Sequence, residues 1–222
     1  MPWDDTILRQ FRLINRITAD ESKYYGPYIT LLTDLFPHTE HYQVSLGPAA
    51  PRSIDLTVLY IIPRLGYMVP VLSIEIKPHT HLFNLAKREK ADSQMRDRFR
   101  ELGCPDQPVP KIYGICAMGT CFAVYEYTQE TNRVTPPSIP RDPDIVNDVA
   151  PPARWEYELL EADGEAKFRS IVAEVKAMAE AIEYCKLFSS LLWLPMLITG
   201  LELCFRDRPR CDKYLTITEI KG

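Results

Sequence analysis

The sequence predicts an α/β fold, a mixed central sheet flanked by helices, and three observations carry that prediction. Apolar residues recur at steps of three and four from Trp3 to about Phe36. From His41 the period drops to two, and two runs rich in Val, Ile, Leu, Thr and Tyr follow around a short turn. Helical and strand-like stretches then alternate to about Ile182. Period 3.6 marks an amphipathic helix and period two a strand, and alternation of the two gives layered α/β or α+β domains.

The first stretch, Trp3 to Ile17, carries Ile7, Leu8, Phe11, Ile14 and Ile17 at helical spacing. A second helix is expected from about Asp20 to Phe36, on the stripe Tyr24, Tyr25, Tyr28, Leu32 and Leu35. Pro27 interrupts it and is expected to start a fresh turn after Gly26. Tyr42, Val44 and Leu46 then alternate as a strand. Ile54 to Ile62 and Tyr67 to Lys77 read as two further strands. Joined by only Pro63 to Gly66, they should pair antiparallel.

Leu82 to Leu102 is a charged amphipathic helix, stopped by Gly103 and Pro105. Lys111 to Cys116 and Cys121 to Tyr127 are strands around Met118, Gly119 and Thr120. Residues 134–153 hold six prolines and must run over the surface, since proline cannot donate to a sheet interior. Trp155 to Leu160 reads as a further strand. A long helix then carries Phe168, Ile171, Val172, Val175, Ala179 and Ile182. The expected organisation is one domain: residues 1–133 as core, 134–153 as loop, and 154–222 as a strand and helices packed on that core.

The 222 residues are 46% hydrophobic and 25% charged, which excludes a disordered chain, a collagen-like repeat and a coiled coil. The formal net charge of −4 excludes a protein that coats nucleic acid non-specifically, so any such contact needs a local basic patch. The start of the chain lacks the basic and apolar segments of a signal peptide. The run Leu191 to Phe205 is broken by Pro195 and Gly200 and is read as a core element, with no membrane partner expected. None of the six cysteines forms a CxxC pair, so reduced thiols and an intracellular location, cytoplasmic or nuclear, are expected. No Gly-rich phosphate loop, Gly-x-Ser-x-Gly or His-Glu-x-x-His is present.

Chemistry concentrates at the two paired strands. Asp55 opens the first, and Glu75 and Lys77 close the second. Residues two apart on a strand share a face, so Glu75 and Lys77 project together. In a hairpin, Asp55 falls beside Glu75. Three charged groups then meet in an apolar sheet, where leaving them unpaired is costly. A divalent cation between the carboxylates would offset that cost, and the lysine could orient or deprotonate a water. The bland alternative is a strand-capping Asp55 with Glu75 and Lys77 on a solvated edge. The same Glu-x-Lys spacing at Glu165/Lys167 and Glu174/Lys176 falls on a helix, where residues two apart do not face each other. Asp212, Glu219 and Lys221 form a strand-like rival near the end of the sequence.

An acidic helix, a hairpin carrying Asp55 and then Glu75-Ile-Lys77, a helix and more strands together resemble the PD-(D/E)XK nuclease superfamily, over residues 20 to 127. The residue before Asp55 is Ile54, not the proline often found there. The resemblance implies a restriction-endonuclease-like core and metal-dependent hydrolysis of DNA or RNA. It implies that Asp55, Glu75 and the carbonyl of Ile76 hold Mg²⁺ or Mn²⁺, with Lys77 placing water or balancing charge. Glu21 fits the acid that many members carry on the first helix, and Gln94 and Arg98 fit the Gln or basic residue after Glu-x-Lys. Lys87, Arg88, Lys90 and Arg98 would contact phosphates, or else belong to a salt-bridged helix face. His79 and His81 follow the strand as loop residues or further ligands. Arg206, Arg208 and Arg210 form a second basic cluster. The alternative function is a catalytically inactive nuclease-like fold that binds protein or nucleic acid.

Overall fold

The computed structural model describes residues 3–46, 55–63, 67–103 and 108–191. Helix α1 (Asp5–Arg12) starts at Asp4, whose carboxylate accepts from Thr6 N at 2.8 Å. It is shorter than the periodicity suggests: the chain turns at Leu13, and Asn15 accepts from Ile17 N. Ile17 is consequently exposed and leaves the core stripe. Helix α2 (Ser22–Leu35) runs through Pro27 without a break. Its face of Tyr24, Tyr28, Leu31, Leu32 and Leu35 is buried.

Strand β1 (Tyr42–Leu46) pairs antiparallel with β2 (Asp55–Ile62), and β2 pairs antiparallel with β3 (Tyr67–Lys77). Leu46, expected inside with Tyr42 and Val44, is exposed at the open end of this edge strand. A short 3₁₀ turn (His79–Phe83) leads into α3 (Leu85–Leu102), which Asn84 caps by accepting from Lys87 N. Then come β4 (Lys111–Met118) and β5 (Cys121–Thr128). Beyond them, β6 (Arg133–Thr135) and the two-residue β7 (Tyr157–Glu158) both pair with β5. The chain continues as α4 (Ala162–Leu191). The strand order is β1-β2-β3-β4-β5-β6, with β7 off β5. Among the described strands only β3 and β4 pair in parallel, and α3 supplies the crossover that a parallel pair requires.

The register sorts the side chains into two layers. Ser73, Glu75, Lys77, Gly114 and Tyr125 share one face of the sheet. Helix α3 lies on that face: Phe99 stacks on Tyr127, and Tyr125 OH donates to Asp92 at 2.8 Å. A Cβ at Gly114 would come within 2.5 Å of Met95 Sδ, so this close approach requires glycine. The opposite face packs on α4, through Phe122 against Phe168, and α1 packs on α2, through Phe11 against Tyr28. One buried core runs from Trp3 to Ile182 and ties α4 to the sheet.

The β4–β5 hairpin turns through Gly119, at φ +68°, with the proton of Tyr28 OH donated to its carbonyl. The proline-rich segment lies outside the sheet after β6, as expected. Arg88, Arg96 and Arg154 hold it by donating to the carbonyls of Ala150, Pro136 and Pro137. Cys116 and Cys121 are free thiols. Among the described residues no helix is long and apolar enough to cross a membrane. The rest of the Leu191 to Phe205 run, the arginines at 206, 208 and 210, and the rival set Asp212, Glu219 and Lys221 lie outside the described residues.

Candidate functional site

The site lies at the C-terminal end of β3, where three elements converge. Asp55 stands directly opposite Glu75 in the β2–β3 register. Directly opposed residues share a face with Cβ atoms about 5 Å apart. The Asp55 side chain lies outside the described residues. Glu75 and Lys77 are 3% and 7% exposed, deep for charged groups. Lys77 Nζ approaches Glu75 Oε1 at 3.0 Å and Glu21 Oε2 at 3.9 Å. Glu21 reaches the site from the N-terminal end of α2, and Tyr25 OH donates to its other oxygen at 2.9 Å. The ammonium of Lys77 thus bridges acids from two elements.

Glu75 is the member of this set most perturbed by burial. Burial pushes its carboxyl from 4.5 up to about 7, against the pull of Lys77. Its Oε1 makes an ion pair with Lys77 but no contact with hydrogen-bond angles. Few buried side-chain oxygens in the described residues share that condition. Two of the others are Gln94 Oε1, on α3, and Ser73 Oγ, two residues before Glu75 on the same face. Buried polar atoms are nearly always satisfied in folded proteins, so Gln94 Oε1 and Ser73 Oγ stand out, whereas Glu75 Oε1 faces the Lys77 ammonium.

The remaining predicted residues divide clearly. Lys87 and Lys90 lie three apart on α3, are exposed, and form no ion pair among the described residues. Both act on His81, which is half-buried with its pKa lowered by burial and then by Lys87, Lys77 and Lys90. Lys90 also acts on Glu75, so this basic face turns toward the site. Arg88 does not belong with them. It is buried, donating to Ala150 O at 2.8 Å and Leu82 O at 2.9 Å and pairing with Asp148 at 2.7 Å. The expectation that Arg88 contacts phosphate is therefore corrected: at position 88 the helix faces the proline segment. Arg98 pairs with Glu101 at 2.7 Å. Arg96 pairs with Asp92, and Arg100 with Asp97, so the C-terminal half of α3 is the salt-bridged face.

Ile76 pairs with Ala117 on β4 and has no β2 partner among the described residues. His79 Nδ1 lies 3.3 Å from Met118 O, and the residue packs under Gly119. No group of three or more His, Cys, Asp or Glu side chains forms a metal-binding cluster among the described residues. On the same face as Glu75, in β1 and β2, Gln43 is exposed and Ser45 and Leu59 are half-buried. Sequence reasoning missed Tyr25 as a partner of Glu21, although its position four residues on along a helix is the available signal. It also missed Asp92, which receives Arg96, Arg154 and Tyr125 together. Only Arg96, four residues on along α3, marks that hub locally; Tyr125 comes from β5 and Arg154 from the 3₁₀ turn Pro152–Trp155. Comparison with known proteins finds no family model, no curated protein and no solved structure that matches this chain.

Proposed function

We propose that the protein is a divalent-metal-dependent nuclease that hydrolyses phosphodiester bonds of DNA or RNA. The observation that carries this reading is the Asp55–Glu75 register with Lys77 paired to Glu75 at 3.0 Å. The residues fit a hard divalent cation. The donor set is oxygen: the Glu75 and Glu21 carboxylates meet at Lys77, and Asp55 stands opposite Glu75 in the register. Asp55, Glu75 and the Ile76 carbonyl would hold Mg²⁺ or Mn²⁺, with Glu21 beside them. When bound, such an ion supplies Lewis acidity at a phosphate and acidifies a coordinated water.

The protein's own groups supply the remaining functions. Lys77 orients the attacking water and balances negative charge that develops on the phosphate. Glu21, held by Tyr25, keeps Lys77 aimed at the site. Lys87 and Lys90 place positive charge at its edge, as sequence-independent phosphate contacts require. The test is nucleic-acid cleavage with Mn²⁺ by the wild type and by Glu75→Gln, with ion binding followed by calorimetry. Cleavage and binding should both be lost in the variant. Equal cleavage by the two proteins would refute the assignment.

The second reading, a binding module without catalysis, is favoured by one observation: the deep burial of Glu75 and Lys77. It predicts nucleic-acid or protein binding with no cleavage under any divalent ion.

A further inference from the structure

Phe83 is the last residue of the 3₁₀ turn between Lys77 and α3, and the residue is 76% exposed. The turn beneath it is firmly held. His81 N donates to Pro78 O at 3.0 Å, Asn84 N donates to His81 O at 3.1 Å, and Arg88 donates to Leu82 O. His79 packs edge-on against the Phe83 ring, with centroids 5.6 Å apart. The ring is therefore presented on a fixed platform, with its ordering entropy lost on folding rather than on binding. Two extended residues and a 3₁₀ turn put Phe83 at most about 15 Å of chain from Lys77. Lys87 lies four residues further on and Lys90 three beyond that, both exposed and without an ion pair among the described residues.

We propose that the site takes single-stranded nucleic acid, with an unpaired base stacked on Phe83 and the adjoining phosphates held by Lys87 and Lys90. This rests on the nuclease reading for the identity of the site, and it names the substrate class of that site. A base within a duplex already has both faces stacked, so an exposed ring offers it nothing. An unpaired base presents its π-face, and aromatic rings beside basic side chains are the usual means of holding one. Charge complementarity favours this occupant over a protein segment: the exposed cations beside the ring suit a phosphate backbone.

The experiment measures binding of the full chain, in metal-free buffer, to a short oligothymidine and to a hairpin duplex. A 2-aminopurine base in a matching single strand reports stacking through quenching of its fluorescence. The single strand should bind more tightly than the duplex. Phe83→Ala should lose about tenfold in single-strand affinity, together with the quenching, and leave duplex binding unchanged. Phe83→Trp should retain both, which separates stacking from a folding defect. Tighter duplex binding, or a Phe83→Ala protein with wild-type single-strand affinity, overturns the proposal. If Mn²⁺-dependent cleavage is intact alongside that result, the nuclease reading survives and the stacking inference alone fails. If Phe83→Ala has the expected effect but the wild type cuts nothing, the nuclease reading alone fails.

Discussion

Glu75 makes a quantitative prediction for the metal-free protein. Its carboxyl titrates at about 7 in the folded chain, against 4.5 for an ordinary solvated glutamate. Between those values the folded state holds the extra proton, so stability must fall as pH rises. The loss begins as pH passes the unfolded value and is complete above the folded one. Integrating the two titration curves from about pH 5 to about pH 8 gives a loss on the order of 2–3 kcal/mol from this one group. Glu75→Gln has nothing to titrate, so its stability relative to wild type should rise by that amount over the same interval. Comparing the two proteins at each pH cancels the ionisations remote from the site. With a urea slope of about 2 kcal/mol/M, the gap between their midpoints should widen by roughly 1 M. The assay is urea unfolding of both proteins in chelator-treated buffer at several pH values. A gap that stays constant across that range would falsify the claim that burial perturbs Glu75. Mn²⁺ should then close the gap at high pH, by about 2.7 kcal/mol when present at a hundred times its dissociation constant.

The basic residues of α3 should separate by function. Arg88→Ala breaks a buried pair and leaves two carbonyls without their donor, so it should cost about 3 kcal/mol, read as a fall in Tm of roughly 6–12 °C. Lys87→Ala with Lys90→Ala should leave Tm unchanged yet lower nucleic-acid affinity and flatten its salt dependence, seen in a titration at several ionic strengths. Gly114→Ala should destabilise by about 1–3 kcal/mol in thermal or urea unfolding, because its methyl meets Met95 and Phe99 at 2.5 Å and 2.6 Å.

Much of this molecule was legible in its sequence, and the parts that were not have physical causes. The hairpin of β2 and β3 followed from alternation and a short turn, and that fixed Asp55 against Glu75. The amphipathic helix ending at Leu102 was legible too, and α3 buries Ala91, Met95, Phe99 and Leu102 along one face. Helix ends were less legible: α1 stops at Arg12 because of local side-chain to backbone bonds, which periodicity does not see. Arg88 was misread because a helix turns 100° per residue, so two neighbours of a phosphate-facing lysine can face elsewhere. Its partners Asp148 and Ala150 lie some sixty residues away. Phe83 was invisible as a feature, since an aromatic residue beside a helix start is ordinarily core. Only its exposure in the folded chain distinguishes it.

Lys77 is where the nuclease reading meets its sharpest test, because its charge both neutralises the site and limits it. Asp55, Glu75 and Glu21 bring three acids, and Lys77 brings one base. With all ionised, the set carries two uncompensated negative charges, which a single divalent cation would neutralise. Buried charge left uncompensated is strongly destabilising. Lys77→Ala should therefore do three things at once. It should raise the Glu75 pKa further and destabilise the metal-free protein at pH values where Glu75 is ionised, since the carboxylate loses its partner at 3.0 Å. It should retain Mn²⁺ binding and strengthen it, because a charged lysine is no ligand and repels the incoming ion. It should abolish cleavage, because orientation of water and charge balance at the phosphate are lost together. A purely structural ion pair predicts only the first effect, with no recovery when Mn²⁺ is added. Calorimetry with Mn²⁺, Tm with and without it, and a cleavage assay on the same preparation separate the two. A variant that loses both stability and ion binding would leave Lys77 as a buried pair within a sheet and nothing more.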